Sequence, residues 1–420
     1  MNKTLCALFL VLASALTLHF AWGQDWPQWR GPNRDGTVTG FTPPKSWPAT
    51  LTQKWTATVG KGVSSPVLVG DKLYAFGRNG GDEGTLCLDA GTGKVLWDDK
   101  YPVAAMINNA KGWSGPRSTP AVADGKICTF GVHGVLSCYD AASGKLLWRK
   151  ETKSTLKGNF YTSTSPLITE GMCIVHVDEL TAFDLAKGDI KWHCKVGDSP
   201  YGSPVLMTVD GVKQVVTPSL GYVSGVNLAD GKPLWKFAVG GSVYQSTYSS
   251  PLIVGPAVIY SRYNSANAGA TIAYKIERKG DGFDAATKLW EVKDLPYQYN
   301  TPILKEGLLY GLSTGKNFYC MDPQTGKVLW TDKVQRGESG GLVNAGPVIL
   351  AVTGPAGKST GFSETVAGDM QLVAFEPSGA GYKELAKYKL GVGPGLAYPV
   401  VAGNRIFIRG NEAVTLWTID

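Results

Sequence analysis

The residues best suited to recognition stand just before a recurring proline. Arg117, Tyr161, Tyr201, Tyr244, Gln245, Tyr248, Tyr297, Gln298, Tyr299, Asn300 and Asn344 precede the hydrophobic stretches that begin at Pro120, Pro166, Pro204, Pro251, Pro302 and Pro347. A tyrosine ring offers a flat apolar face with one hydroxyl, and Asn, Gln and Arg add directional hydrogen bonds. Such a mixture suits a sugar, another polar ring or a peptide backbone. We take Arg117, Tyr161, Tyr201, Tyr244, Gln245, Tyr297, Asn300 and Asn344 as the expected ligand contacts, with Arg78, Arg262 and Arg409 at the rim. Catalytic residues are harder to find. There is no nucleophile elbow, zinc-binding His-Glu-x-x-His, phosphate loop or EF-hand. His133 reads as a hairpin tip, and His176 and His193 fall in or beside strands. Asp178 and Glu179 fall in a loop, and Glu338 and Glu364 stand apart from them. A calcium site needs several converging oxygen ligands, and the sequence shows no such convergence. No metal or catalytic residue is expected.

The elements that must position these residues are repeats. GTLCLDAGTGKVLW, GVLSCYDAASGKLLW, ELTAFDLAKGDIKW, YVSGVNLADGKPLW and FYCMDPQTGKVLW end at Trp97, Trp148, Trp192, Trp235 and Trp330, with a weaker copy at Trp290. A proline opens each unit, after a small residue in all but the last, at Pro66, Pro120, Pro166, Pro204, Pro251, Pro302, Pro347 and Pro399, which gives eight units. Glycine-rich turns between short apolar stretches at a period of about 40–50 residues predict an all-β, eight-bladed propeller of four-stranded antiparallel blades. In the first unit Pro66 opens the inner strand, Gly70-Asp71 turns, Lys72–Phe76 and Thr85–Leu88 follow, and Asp89–Gly93 turns into an outer strand from Lys94. The last copy, TLWTID, stops at Asp420, read as the position of the turn Asp, and lacks its fourth strand. LTQKWTATV near the N-terminus is a fourth strand without a blade. Pairing the two closes the ring and removes two raw edges.

Lys3, the apolar run Leu5 to Phe20 and Ala21-Trp22-Gly23 predict an export signal over 1–23, then an extension over 24–50 and the propeller over 51–420. With no further apolar run of spanning length, the mature chain is expected to be periplasmic or secreted, with no integral membrane segment. The formal net charge of +7 is spread along the chain, which argues against nucleic acid as a partner. Cys87, Cys138 and Cys320 share a repeat position with Ala182 and Ala374, so they read as small buried residues. Cys128 and Cys138 lie equally far from the His133 tip, and the spacing leaves open whether they form a disulfide.

The units resemble the pyrroloquinoline-quinone-type propeller repeat, Ala-x-Asp-x-x-Thr-Gly-Lys-x-x-Trp. Asp89, Thr92, Gly93, Lys94 and Trp97 fit it, as do Asp322, Thr325, Gly326, Lys327 and Trp330; Asp140, Gly144, Lys145 and Trp148 fit with Ser143 in the Thr place. DWPQWRGPNRDG also looks like the start of exported members of this group. The resemblance implies one of two functions. The BamB-like branch of outer-membrane assembly factors binds protein partners with no cofactor. The quinoprotein dehydrogenases bind pyrroloquinoline quinone (PQQ) with calcium and oxidise alcohols or sugars. The chain is nearer the first in length, and it lacks the adjacent-cysteine pair and Cys-x-x-Cys-His found in the second. It also lacks the lipidation cysteine of the first. The expectation is a non-catalytic, monomeric, cofactor-free binding or assembly propeller for an envelope protein or a small polar ligand. The alternative is a PQQ-dependent dehydrogenase.

Overall fold

A computed structural model describes residues 25–106, 112, 115–152, 161–198, 201–239, 248–263, 269–337, 339–356 and 368–420. Eight sheets follow one another; six are built wholly from four consecutive antiparallel strands that run from the axis outwards, and the last two each also take one strand from near the N-terminus. Blade 1 comprises Val67–Val69, Lys72–Asn79, Asp82–Asp89 and Val95–Pro102. The second and third strands run further than the apolar pattern implied, because Gly77 and Gly84 carry the pairing through to Asn79↔Asp82.

The ring closes as expected. Thr52–Thr58 pairs antiparallel with Ala413–Thr418, placing Trp55 opposite Leu416. One detail differs. Thr418, opposite Arg405, occupies the register of Asp89 opposite Lys72, so Asp420 lies two residues beyond the turn position. There it accepts from Lys54 Nζ at 3.1 Å and from the Thr418 hydroxyl at 2.8 Å, tying the closing strand to the last.

Each repeat tryptophan seals its blade to the next. The indole N–H donates to the carbonyl of the residue that follows the Asp or Asn opening the next blade's turn: Trp55 to Ala90 at 3.2 Å, Trp97 to Ala141 at 3.2 Å, Trp148 to Leu185 at 3.0 Å and Trp192 to Leu228 at 3.0 Å. The turn glycine lies against the same ring. A Cβ on Gly93 would come within 2.7 Å of Trp55, and the Gly93 φ of +72° already disfavours any other residue. Trp235 departs from the pattern. Blade 5 has no Asp-type turn to receive it, so it donates to its own blade's Gln214 at 2.6 Å, over Gly225. This explains why that repeat carries glycine where others carry Cys or Ala.

Around the axis, the small residues before the prolines join in a closed hydrogen-bonded girdle. Ser65 N–H donates to Thr119 Oγ1 (3.1 Å), Thr119 N–H to Ser165 Oγ (3.0 Å) and Ser165 N–H to Ser203 Oγ (2.9 Å). Ser203 N–H donates to Ser250 Oγ (2.7 Å) and Ser250 N–H to Thr301 Oγ1 (3.4 Å). Blade 7 interrupts the pattern. Pro347 does not open its inner strand, which is Gly340–Ala345; the proline sits in the turn that joins Ala345 to Val348. By register Val343 matches Val67, so Gly341 holds the girdle position and offers no hydroxyl. Tyr398 of blade 8 bridges the gap: Thr301 N–H donates to its hydroxyl at 2.7 Å and its own N–H to Ser65 Oγ at 2.8 Å. A Cβ on Gly341 would stand 2.8 Å from Tyr398 Cα, so glycine is what admits the bridge.

The six cysteines of the described residues are buried free thiols. Cys128 and Cys138 are direct cross-strand partners, and Cys173 of blade 3 lies beside them. Burial pushes the Cys87 thiol up to about 12 and Cys320 to about 11, which fits packing rather than reactivity.

Candidate functional site

The segment after Asp25 forms the floor of the channel. Trp26 pairs with Leu68 of blade 1, and the Pro27 carbonyl accepts from Val122 N–H of blade 2. Thr37–Val38 then joins blade 7 as a fifth, parallel strand. Between them the chain crosses the axis. Arg30 donates to the Pro302 carbonyl at 2.5 Å, and Arg34 donates to the carbonyls of Ser165 and Pro166 at 3.2 Å. Both guanidiniums are fully buried; burial lowers the Arg30 pKa and brings Arg34 to about 9. Trp29 lies above them, with Arg30 at 5.4 Å and Arg34 at 5.7 Å from its ring and Tyr398 edge-on at 5.9 Å.

Above this floor is a cup of about 160 Å³. Its lower wall is the girdle. Its upper wall is set by the residue three before each proline: Val63, Arg117, Ser163, Tyr201, Tyr248, Tyr299 and Leu396. Two residues along extended chain return a side chain to the same side, so the girdle and the upper tier stack. Three tyrosines from successive blades form one wall. Tyr201 and Tyr248 stack at 5.4 Å, 14° apart in plane, and Tyr248 meets Tyr299 at 5.3 Å. Burial raises the Tyr201 and Tyr248 phenols, so both remain O–H donors. Tyr299 takes a φ of +55°, which costs a residue with a Cβ roughly 1–2 kcal/mol. Asn300 behind it is 2 % exposed; its Nδ2 donates to Gln298 O at 2.8 Å, and its Oδ1 has no partner.

Of the residues singled out by sequence, Arg117, Tyr201 and Asn300 line the cup together, joined by Tyr248 and Tyr299. Tyr161 does not line it: it lies five residues before its proline and packs on His133 at 4.8 Å. Tyr297 is buried below, its N–H donating to Ser261 Oγ. Asn344 lies inside the blade 7 strand, its amide on the Leu304 carbonyl at 3.3 Å, because Pro347 marks a turn and not a strand opening. Tyr244, Gln245, Glu338 and Glu364 lie outside the described residues. The three arginines expected at the rim serve the blades. Arg409 staples blade 8 to the Gly60, Gly62 and Phe76 carbonyls, Arg262 pairs with Glu291 at 2.9 Å, and Arg78 donates to Val103 and Ala104. His176 is buried with Nδ1 2.7 Å from the Thr217 hydroxyl and Nε2 2.7 Å from the Gly197 carbonyl, a structural placement. Sequence reasoning missed Trp29, Val63, Ser163, Leu396 and Tyr398. The aligned offset of three from the proline would have found Val63, Ser163 and Leu396; Trp29 has no repeat copy to compare.

The cup's described lining includes no Asp, Glu, His, Cys or Lys. No group of three metal-ligating side chains occurs among the described residues. Calcium, which takes carboxylates among six to eight oxygens, does not fit this donor set.

Fold and cup define a closed eight-bladed propeller with a cavity on its axis. The profile of the family described as PQQ_2, outer membrane protein assembly factor BamB, matches residues 82–332, and the chain belongs to that family. It is 27 % identical over 303 residues to outer membrane protein assembly factor BamB of Burkholderia pseudomallei, covering 69 % of this chain and 71 % of that one. Similarity to quinoprotein alcohol dehydrogenase PedH of Pseudomonas putida is 34 % over 102 residues, 24 % of this chain and 16 % of that one. The fold matches BamB from Moraxella catarrhalis with a TM-score of 0.62 at 16 % identity, covering 88 % of this chain and 98 % of that one. It matches quinohemoprotein alcohol dehydrogenase from Comamonas testosteroni with 0.63 at 15 %, covering 94 % and 80 %.

Proposed function

We propose that this protein is an exported, periplasmic binding and assembly propeller of the cell envelope. It recognises a protein partner or small polar ligand at the mouth of its channel, as a monomer, without catalysis or cofactor. The observation that carries the reading is the make-up of the cup: aromatic faces, one guanidinium, one amide and many hydroxyls, with no carboxylate, imidazole, thiol or amine among its described lining residues to move protons. The assembly-factor relative aligns over more than two thirds of the chain, whereas the dehydrogenase likeness in sequence is confined to a quarter of it. The test is genetic. Deleting the gene in its own host is expected to lower outer-membrane protein content, with wild type restoring it and the Arg117→Ala/Tyr248→Ala double variant failing to. Unchanged content in the deletion strain rejects the reading. Titration with PQQ and calcium checks the alternative, since saturable binding of both would replace this reading with a quinone-dependent oxidoreductase.

A further inference from the structure

We propose that Cys128 and Cys138 are a disulfide-forming pair, oxidised while blade 2 folds and before blade 3 covers it. The proposal rests on the export reading for its oxidising compartment.

The repeat shows that packing does not call for Cys128. Opposite the third-strand position that Cys87 holds in blade 1, seven blades place a bulky second-strand side chain: Tyr74, Ile174, Val216, Ile259, Tyr310, Leu350 and Phe407. Blade 2 alone places a small one, Cys128, and it stands opposite Cys138. Both side chains are wholly buried. Cysteine there forgoes the apolar bulk that the other blades bury at this point. A departure from the repeat that costs packing is where a separate task is expected, and two thiols face to face have one.

The register puts the sulfurs where a bond can form. Gly131 N–H donates to the Val135 carbonyl at 2.9 Å, and Ala141 N–H donates to the Gly125 carbonyl at 2.8 Å, at the two ends of the hairpin. Hydrogen-bonded and non-hydrogen-bonded pairs alternate along an antiparallel ladder. Counted from either end, Cys128 and Cys138 form a non-hydrogen-bonded pair. Such a pair brings its Cα atoms to about 4.5 Å with both side chains on one face. A disulfide accepts a Cα separation of about 4.4–6.8 Å.

Blade 3 fixes when the reaction occurs. Cys173 of that blade lies beside Cys128, and Cys138 Sγ stands 3.6 Å from the Leu185 carbonyl. Once blade 3 is in place it seals the pair, and burial raises the Cys128 thiol, which disfavours the attacking thiolate. The hairpin through His133 is a local contact and closes before the next blade packs on it. In the open hairpin one cysteine thiolate attacks a glutathione-type or protein disulfide and releases one thiol. The second cysteine thiolate attacks the mixed disulfide and releases the other. The pair loses two electrons and two protons, and the oxidant becomes two thiols. Cys173 arrives with the next blade and stays reduced.

The experiment maps thiols in two preparations: the protein isolated from its host's envelope, acid-quenched and labelled with N-ethylmaleimide in urea, and the purified mature chain refolded from urea in oxidised and reduced glutathione. Peptide mass spectrometry is expected to show Cys128 joined to Cys138, with Cys87, Cys173, Cys194 and Cys320 labelled. Cys128→Ala should leave Cys138 labelled, and Cys173→Ala should leave the bond in place. Protein first folded under reductant should gain the bond at least about tenfold more slowly than the refolding chain; equal rates overturn the order of events. All six cysteines labelled in both preparations, or Cys128 joined to Cys173, overturns the pair. The bond on refolding with all six labelled in the host-derived protein supports the pair and rejects export. No bond in either preparation, with outer-membrane protein content still lowered by deleting the gene, rejects the pair and leaves the envelope role standing.

Discussion

The girdle and the upper tier are two rings of side chains drawn from the same segments, two residues apart. The girdle is nearly uniform: Ser, Thr, Ser, Ser, Ser and Thr, then a tyrosine reaching over a glycine. The tier above it runs Val, Arg, Ser, Tyr, Tyr, Tyr and Leu. Every girdle hydroxyl receives a neighbour's backbone N–H, so each side chain there is committed to holding two blades together. Upper-tier side chains are not needed for that. Uniformity follows from a repeated structural task, and variety is what a single asymmetric ligand demands of a symmetric ring. On the proposed function, the propeller separates holding from recognising by one turn of the pleat.

The separation can be broken from the holding side first. Deleting Thr52–Thr58 removes the outer strand of blade 8 and the Trp55 seal on blade 1, and should abolish the cooperative thermal transition; a deletion that melts like the parent would show that the ring needs no clasp. Tyr398→Ala removes the bridge across blade 7 and a buried ring, at an expected cost of about 3–5 kcal/mol in urea unfolding. A cost near zero would mean the girdle is decorative. His176 gives a pH test between blades 3 and 4. Burial holds its folded pKa at about 4, against an ordinary 6.5, so below pH 6.5 the unfolded chain takes up a proton the folded one refuses. Stability should be unaffected above 6.5, fall as the pH drops, and level off below about 4 after losing about 3 kcal/mol. Urea midpoints across that range check it, and the same slope in a folded His176→Asn variant sinks the assignment. Cys87→Ala and Cys320→Ala should each cost under about 1.5 kcal/mol and remove no activity or bound metal. Smallest of all, Arg117→Ala and Tyr248→Ala should change stability by less than about 1 kcal/mol while changing binding. A large loss of stability at either would merge the two tiers into one.

What the sequence made legible follows the same division. A task repeated eight times leaves a period, so blade number, turn chemistry, the tryptophan seals and the closing strand were all readable. The girdle was visible as a small residue before proline, though not as a hydrogen-bonded ring. Misreadings arose where one copy departs from the rest. Pro347 mimics an opening proline because Gly346-Pro347 followed by Val348-Ile349-Leu350 has the same local pattern as a strand start, but it opens the second strand of its blade; Asn344 was misplaced with it. Tyr161 and Tyr297 share composition with the upper tier but stand five residues before their prolines, where the chain has turned them off the cup. Trp29, Arg30 and Arg34 occur once, and no periodicity betrays a segment that fills the hole in the symmetry.

That segment carries a consequence for how the molecule is made. Arg30 rests on a carbonyl 272 residues further along the chain, and Thr37–Val38 on a strand more than 300 residues away. A chain made N-terminus first has its floor before any of the walls exist. Contacts of such sequence separation close slowly, because the whole intervening loop must be ordered before they return anything. The floor is therefore among the last parts to find its place: Arg34 must wait for the Ser165 and Pro166 carbonyls of blade 3, Arg30 for the Pro302 carbonyl of blade 6, and Thr37–Val38 for blade 7.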